Sequence, residues 1–273
     1  MGKFLKRALS GFVFAGVLIF SILYSKITFI CLFFTLMMLC LYEFKRMIAL
    51  KSIFPYIIGC LFFVFGNILN VEDIPARIIF EYVGVALFLT IFITFASILF
   101  ANKEEVISHL GKIFLSIIYI VVPFTLIVQI PFLNASFNYV NTTILGVFIL
   151  IWVNDTFAYL VGNALGKHKL LERISPNKTI EGFIGGMIFT FIASILFVAT
   201  KQFPSLTQIQ WVVIAGIVSI FGVLGDLIES MFKRQAAVKD SSSFIPGHGG
   251  FLDRFDSAIF AAPFIFIYLQ LVH

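Results

Sequence analysis

Between Ser230 and Asp256 the chain carries basic, acidic and glycine residues, although long apolar segments lie on either side. A charge beside the core of a bilayer costs free energy, so a cluster of charges there indicates a functional site. Lysine and arginine bind phosphate oxygens, and spaced carboxylates hold a hard divalent cation such as Mg²⁺. Glycines around His248 expose backbone N–H groups that can face an anion. These residue types together predict phosphoryl chemistry at a membrane surface.

Two carboxylates stand at helical spacing where this stretch begins. Asp226, Glu229, Ser230 and Lys233 stand at i, i+3, i+4 and i+7, which places them on one face of a helix. The two carboxylates can hold Mg²⁺. For Glu229 an intrahelical ion pair with Lys233 is an equally good interpretation.

A second pair, Asp253 and Asp256, stands at i, i+3 where the last apolar segment begins. Together with Asp226 this pair can converge across two packed helices on one or two cations, and Arg254 can bind a phosphate. The preceding turn, 246–250, contains three glycines that permit tight backbone geometry. Its N–H groups are candidates for a phosphate cradle.

An upstream run, 154–186, contains a further set of candidates. Small residues recur every four positions from Ala158, a pattern typical of close helix packing. Asp155 lies within the same apolar segment, where a carboxylate usually has a partner or a cation. Lys167 and Lys178 belong to a basic loop that positive-inside topology largely explains. Lys178, in a turn-like segment before a predicted helix start, is the stronger phosphate-binding candidate.

The elements that must position these residues are membrane helices. The chain has 273 residues, of which 60% are hydrophobic and 12% charged, and its mean hydropathy is +1.07. These values predict an all-α, polytopic integral membrane protein. Nine spans are predicted, at 11–24, 27–42, 53–69, 78–100, 113–132, 139–165, 180–200, 209–232 and 255–272.

The basic residues predict the orientation of these spans. Sixteen of the 19 Lys and Arg residues fall in the N-terminus and the second, fourth, sixth and eighth connecting segments. The positive-inside rule therefore predicts a cytoplasmic N-terminus, an external C-terminus and cytoplasmic loops at 166–181 and 233–254. Because the basic residues sit beside spans, the net charge of +5 does not predict a nucleic-acid partner.

The chain divides in character near residue 135. We expect residues 1–135 to form a transmembrane scaffold, with Glu81 as its one buried charge, and residues 136–273 to form the catalytic region. Cys31, Cys40 and Cys60 all fall within predicted spans, at spacings that match neither a metal site nor a disulfide framework.

At these residues the chain resembles the phosphatidate cytidylyltransferase, or CDP-diacylglycerol synthase, family. The family's C-terminal signature is met at Ser230, Lys233, Arg234, Lys239, Asp240, Ser242, Pro246, His248, Gly249, Gly250, Asp253, Arg254 and Asp256. The upstream likeness rests on Asp155, Ala158, Tyr159, Gly162, Gly166, Lys167, Ser175, Pro176, Lys178, Thr179, Glu181 and Gly182. Ser242 stands where many members have glycine, which the signature allows.

The resemblance implies that CTP and phosphatidate react to CDP-diacylglycerol and pyrophosphate, a step of phospholipid biosynthesis in the cell (cytoplasmic) membrane. It also implies Mg²⁺, a second cation such as K⁺, and a homodimer. A phosphomonoester is largely dianionic at pH 7, so the lipid phosphate can attack the α-phosphorus of CTP without a protein nucleophile. The protein must instead bring two polyanions together.

Roles follow for the individual residues as expectations. The expected metal ligands are Asp226, Asp253 and Asp256, with Glu229 and Asp155 as further candidates. The expected catalytic residues are Lys239, Asp240, Arg254 and His248, of which His248 can also serve only to shape its turn. Substrate binding is expected from Lys167, Lys178, Ser230, Lys233, Arg234, Gly249 and Gly250.

Other functions are possible from the residues. A CTP-dependent lipid kinase shares motif features but would release CDP. A transporter could use Asp155 and Asp226 for ion coupling, but it would favour inverted repeats, and none is found. A CDP-alcohol phosphotransferase would need an Asp-Gly-x-x-Ala-Arg run, which the sequence lacks.

Overall fold

A computed structural model describes residues 3–68, 106–134, 138–247 and 249–272, together with the helical positions Val85 and Leu89. In these residues eight helices and one β-hairpin follow one another along the chain. Their bounds are α1 Lys3–Tyr24, α2 Lys26–Met47, α3 Phe54–Ile68, α4 Val106–Phe132, α5 Asn141–Leu165, β1 Lys169–Leu171, β2 Ser175–Thr179, α6 Ile180–Ala199, α7 Gln208–Gln235 and α8 Leu252–Val272.

Six of these helices, α2 and α4 to α8, are long and apolar enough to cross a membrane. Two shorter apolar stretches lie in α1 and α3, at Leu9–Tyr24 and Phe54–Val64. The prediction of an all-α polytopic membrane protein is confirmed. Apart from Val85 and Leu89, the predicted span at 78–100, with Glu81, lies outside the described residues, so the number nine and the orientation of the N-terminus stay predictions.

An aromatic cluster fixes the start of α8. Phe255 is fully buried, and its ring lies 5.3 to 6.1 Å from the rings of Phe14, Phe33, Phe124 and Phe148. These four partners belong to α1, α2, α4 and α5. Because Phe255 stands between Arg254 and Asp256, four helices of the apolar core hold the polar start of α8.

Helices α5 and α6 approach closely through small residues, as the stripe beginning at Ala158 predicts. A Cβ added to Gly182 would lie 2.6 Å from the Ala158 carbonyl oxygen and 3.0 Å from Gly162 Cα. One added to Gly186 would lie 2.8 Å from the Asn154 carbonyl oxygen. The glycines therefore set the distance between the two helices.

The loop between α5 and α6 is more ordered than predicted. Its segment 175–179, expected to be turn-like, is strand β2, which pairs antiparallel with β1 through Lys169 opposite Thr179 and Leu171 opposite Ser175. The turn at 172–174 reverses the chain, and the register shifts between the two pairs of residues. Thr179 then caps α6, its hydroxyl accepting a bond from the Gly182 N–H at 3.1 Å.

Candidate functional site

A cleft of about 670 Å³ opens where α5, the hairpin, α6, α7 and the start of α8 meet. Six of the predicted site residues line it: Asp155, Lys178, Asp226, Asp253, Arg254 and Asp256. These residues come from four segments far apart in the sequence, so their convergence is a result of the fold. The predicted loop 166–181 and the predicted helix pair thus contribute to one site.

Three carboxylates form the densest charge cluster in the described part of the chain. One oxygen from each of Asp226, Glu229 and Asp256 lies within 4.8 Å of the others. The expected trio was Asp226, Asp253 and Asp256, with Glu229 as a further candidate. The structure brings Glu229 into the cluster and gives Asp253 a different set of partners. Glu229 is fully buried and, apart from an ion pair with Lys233, neither of its oxygens has a hydrogen-bond partner.

Two lysines balance this negative charge. Lys178 Nζ, on β2, lies 2.5 Å from Asp226 Oδ2. Lys233 Nζ forms ion pairs with Glu229 and, at 2.8 Å, with Asp253 Oδ1. Both lysines were expected to bind substrate phosphates. The observed pairs show that each can also neutralise a carboxylate of the site.

Asp253 is held by its surroundings more tightly than the other aspartates of the site. Its Oδ2 accepts bonds from the Ser241 N–H at 2.9 Å, the Ser241 hydroxyl at 2.8 Å and the Gly250 N–H at 2.7 Å. Its Oδ1 accepts the bond from Lys233. Asp253 therefore ties the loop after α7 to the start of α8, while one edge of the residue still faces the cleft.

The glycine turn has the backbone geometry that the sequence predicts. Gly247 and Gly249 have φ angles of +80° and +81°, which residues with a Cβ rarely adopt. The N–H of Gly250 donates to Asp253, so this one donor of the turn already has a partner, and the expected phosphate cradle stays a prediction. His248 lies outside the described residues, and its expected role stays a prediction.

The remaining described residues of the predicted set do not line the cleft. Lys239 and Asp240 are exposed on the loop after α7. The Ser230 hydroxyl donates to Asp226 Oδ1 at 3.3 Å, and Arg234 Nε donates to the Ile174 carbonyl at 3.4 Å. The backbone N–H of Lys167 donates to Glu181 at 3.1 Å. Their roles in binding and catalysis stay predictions.

Two further residues were not predicted from the sequence: one lines the cleft, and the other contacts the segment that leads into α8. Lys169, on β1, lines the cleft, but it was not among the residues expected to bind substrate. Glu43, near the end of α2, is completely buried and accepts four hydrogen bonds from the segment 241–252. The expectation of Glu81 as the one buried charge before residue 135 is therefore wrong. A carboxylate at the end of an apolar span, followed by Lys45 and Arg46, was the available signal.

This arrangement suits the binding of polyanions with the help of a cation. Carboxylate oxygens are the ligands that Mg²⁺ prefers, and the cluster of Asp226, Glu229 and Asp256 supplies three within a small volume. Arg254, Lys169 and Lys178 supply positive charge along the same cleft. A site of this kind can hold two phosphorylated substrates together at the surface of the membrane.

Comparison with known proteins gives a consistent result. The profile of the cytidylyltransferase family matches residues 5–272. The phosphatidate cytidylyltransferase of Bacillus subtilis is 37% identical over 273 residues, 97% of each chain. That of Staphylococcus haemolyticus is 45% identical over 150 residues, 52% of this chain and 57% of its own. That of Staphylococcus aureus is 50% identical over 128 residues, 46% and 48% of the two chains. The chain belongs to the cytidylyltransferase family.

Proposed function

We propose that this protein is a phosphatidate cytidylyltransferase, which converts CTP and phosphatidate to CDP-diacylglycerol and pyrophosphate. The observation that carries the proposal is the 37% identity to the Bacillus subtilis enzyme over 97% of both chains. It agrees with the polar cleft at the ends of apolar helices. There a lipid phosphate and a soluble nucleotide can meet.

The reaction needs little covalent chemistry from the protein. An oxygen of the phosphatidate phosphate attacks the α-phosphorus of CTP, and the bond from that phosphorus to the bridging oxygen of the β-phosphate breaks. Pyrophosphate leaves with the electron pair. Because the attacking phosphate is already largely dianionic, the site must orient the two substrates and stabilise the charge on the leaving group. Lys178, Lys169 and Arg254 line the cleft and are the cations we assign to phosphate binding.

Asp226, Glu229 and Asp256 would hold Mg²⁺, with Asp155 facing the same cleft. The bound cation would supply neutralisation of phosphate charge and act as a Lewis acid at a phosphoryl oxygen. The buried carboxylate of Glu229, which has only an ion pair with Lys233, fits such a donor set. A second cation, K⁺, and assembly as a homodimer are part of the proposal.

The cleft faces the cytoplasm in this proposal. Helix ends near it carry basic residues, Lys45 and Arg46 on α2 and Lys233 and Arg234 on α7, as expected for cytoplasmic ends of membrane helices. CTP is then available from the cytoplasm, and phosphatidate from the bilayer of the cell membrane. The product enters phospholipid biosynthesis.

The proposal is tested with purified protein, dioleoyl phosphatidate, Mg²⁺ and CTP labelled separately at the α- and γ-phosphates. We expect the α label in lipid and the γ label in pyrophosphate. The γ label in lipid would instead establish a lipid kinase. No labelled lipid at any Mg²⁺ or K⁺ concentration would contradict both enzyme assignments and favour a transporter.

A further inference from the structure

The carboxylate of Glu43 links the N-terminal helices to the site. It lies on α2, 0% exposed, about two hundred residues before its partners in the sequence. Its Oε1 accepts bonds from the Ser242 hydroxyl at 2.5 Å and the Phe251 N–H at 3.0 Å. Its Oε2 accepts bonds from the Ser241 hydroxyl at 3.0 Å and the Leu252 N–H at 2.8 Å.

Two of these donors are the backbone N–H groups at the start of α8. The first N–H groups of a helix have no partner within the helix, and the helix dipole favours a negative charge beside them. Glu43 supplies both the acceptor and the charge. Among the described residues it forms no ion pair, so its hydrogen bonds and the dipole at the N-terminal end of α8 stabilise this buried carboxylate.

The Ser241 hydroxyl connects Glu43 to the cleft. Its Oγ lies 3.0 Å from Glu43 Oε2 and 2.8 Å from Asp253 Oδ2, so the two carboxylates share one hydroxyl group. Gly250 completes the contact, because a Cβ there would lie 2.5 Å and 2.6 Å from the two oxygens of Glu43. The absence of a side chain at position 250 lets the carboxylate lie against the backbone.

We propose that Glu43 is a positioning residue of the active site, which fixes the segment 241–252 and thereby the orientation of Asp253, Arg254 and Asp256 at the start of α8. This proposal rests on the function proposed above. Glu43 does not touch the cleft. It acts through Ser241 and through the first turn of α8.

Glu43→Gln is the decisive variant because it keeps the shape of the side chain and removes one acceptor. Each oxygen of Glu43 accepts one backbone N–H and one hydroxyl. In either orientation of the amide, its NH₂ group must therefore face the N–H of Phe251 or of Leu252. Two N–H donors then face each other without an acceptor between them, and the start of α8 is displaced. A displacement of about 1 Å can lower turnover about 100-fold.

The experiment measures kcat and KM per folded molecule, together with hydrogen exchange of the segment 241–252. We expect kcat of Glu43→Gln to fall about 100-fold, and the amides of Phe251 and Leu252 to exchange faster. Glu172→Gln makes the same chemical change at an exposed position of the hairpin and should leave both quantities unchanged.

Trp211→Phe serves as the control for stability. Trp211 is fully buried and donates to the Phe203 carbonyl, and it precedes Asp226 in α7 by about 22 Å along the helix axis. This variant should lower Tm and leave kcat unchanged. If Glu43→Gln lowers Tm but keeps kcat within threefold of the wild type, or if exchange of the segment does not change, the proposal is overturned.

Ser242→Ala covers the case in which Glu43→Gln does not fold, because it removes one of the four donors and leaves Glu43 in place. For this variant we expect faster hydrogen exchange at the Phe251 amide and a lower kcat. If neither quantity changes, the proposal is contradicted. If the wild type makes no CDP-diacylglycerol, the proposed function fails by itself. In that case the exchange measurement alone decides whether Glu43 fixes the segment.

Discussion

At the scale of residues, the four carboxylates near the start of α8 and the end of α7 have different surroundings. Asp226, Glu229 and Asp256 form a cluster with oxygens within 4.8 Å of one another. Asp253 accepts two backbone N–H bonds, a hydroxyl and Lys233. Asp256 thus adds to a cluster of negative charge, whereas Asp253, one turn earlier in α8, stabilises the preceding loop.

The two aspartates of α8 should therefore respond differently to the same substitution. Asp256→Asn removes one of three mutually repelling carboxylates, so we expect Tm to be unchanged or higher and turnover to fall about 100-fold or more. Asp253→Asn should abolish turnover. Because it replaces the charged partner of Lys233 with a neutral amide, it should also lower the free energy of unfolding by about 2 kcal/mol. CDP-diacylglycerol formation and thermal unfolding in detergent measure both effects. Asp256→Asn with near-normal turnover, or Asp253→Asn with unchanged unfolding, would show that these assignments are wrong.

Lys178 gives a second prediction at this scale. It pairs with Asp226 and lines the cleft, so Lys178→Ala removes the cation assigned to phosphate binding and leaves Asp226 without this ion pair. We expect kcat/KM for CTP to fall by about 10- to 100-fold, the effect of losing a charged hydrogen bond of about 1.5–3 kcal/mol. Lys201→Ala, at an exposed position after α6, is the matched control. Equal kinetics for the two variants would exclude Lys178 from substrate binding.

At the scale of elements, close packing of α5 against α6 sets the width of one wall of the cleft. Asp155 and Gly162 belong to α5, Gly182 belongs to α6, and all three line the cleft. The hairpin that carries Lys178 leads directly into α6, with Thr179 as the cap. A change in the distance between the two helices must therefore also move the groups that line the cleft.

Gly182→Ala tests this role. Its Cβ would lie 2.6 Å from the Ala158 carbonyl oxygen, so the helices must separate, and overpacking of this kind costs about 1–3 kcal/mol. We expect a lower Tm and a lower kcat/KM. Gly216→Ala is the control, since its Cβ would meet Phe191 at an ordinary 3.7 Å. Wild-type stability of Gly182→Ala, measured by thermal unfolding, would contradict the packing argument.

At the scale of the whole molecule, helices from before the predicted boundary near residue 135 pack against the start of α8, although every residue that lines the cleft follows that boundary. Phe255 packs against rings from α1, α2 and α4 as well as α5, and Glu43 of α2 binds the loop before α8. The N-terminal helices thus support the start of α8, and the division into a scaffold and a catalytic region stays a prediction.

The predicted orientation can be tested by reporter fusions. With nine spans and a cytoplasmic N-terminus, alkaline phosphatase fused after His273 should be active, and green fluorescent protein at the same position should be dark in a bacterial host. Fusions in the hairpin turn near Arg173 should give the opposite result. A fluorescent C-terminal fusion would place the C-terminus in the cytoplasm. It would contradict the combination of nine spans and a cytoplasmic N-terminus.

Much of the fold was predictable because its signals are local. Long apolar stretches, small residues at every fourth position and glycines with positive φ act within one or two turns, and each was confirmed in α5, α6 or the turn at Gly249. The pairing of β1 with β2 was missed because polar residues on a short hairpin have no apolar alternation. All four aspartates that line the cleft were singled out as site candidates, since carboxylates in apolar surroundings are rare.

The sequence by itself determined the class of protein, the family resemblance and the residue types of the site, because these depend on composition and spacing. The ion pair of Glu229 with Lys233 was one of two interpretations of their spacing and is observed. Only the tertiary structure decided which carboxylates cluster, that Lys178 pairs with Asp226 and Lys233 with Asp253, and that Glu43 reaches the start of α8 from α2. Those facts depend on distances between segments far apart in the chain. Such distances follow from how the helices pack, and the local pattern of residues does not fix them.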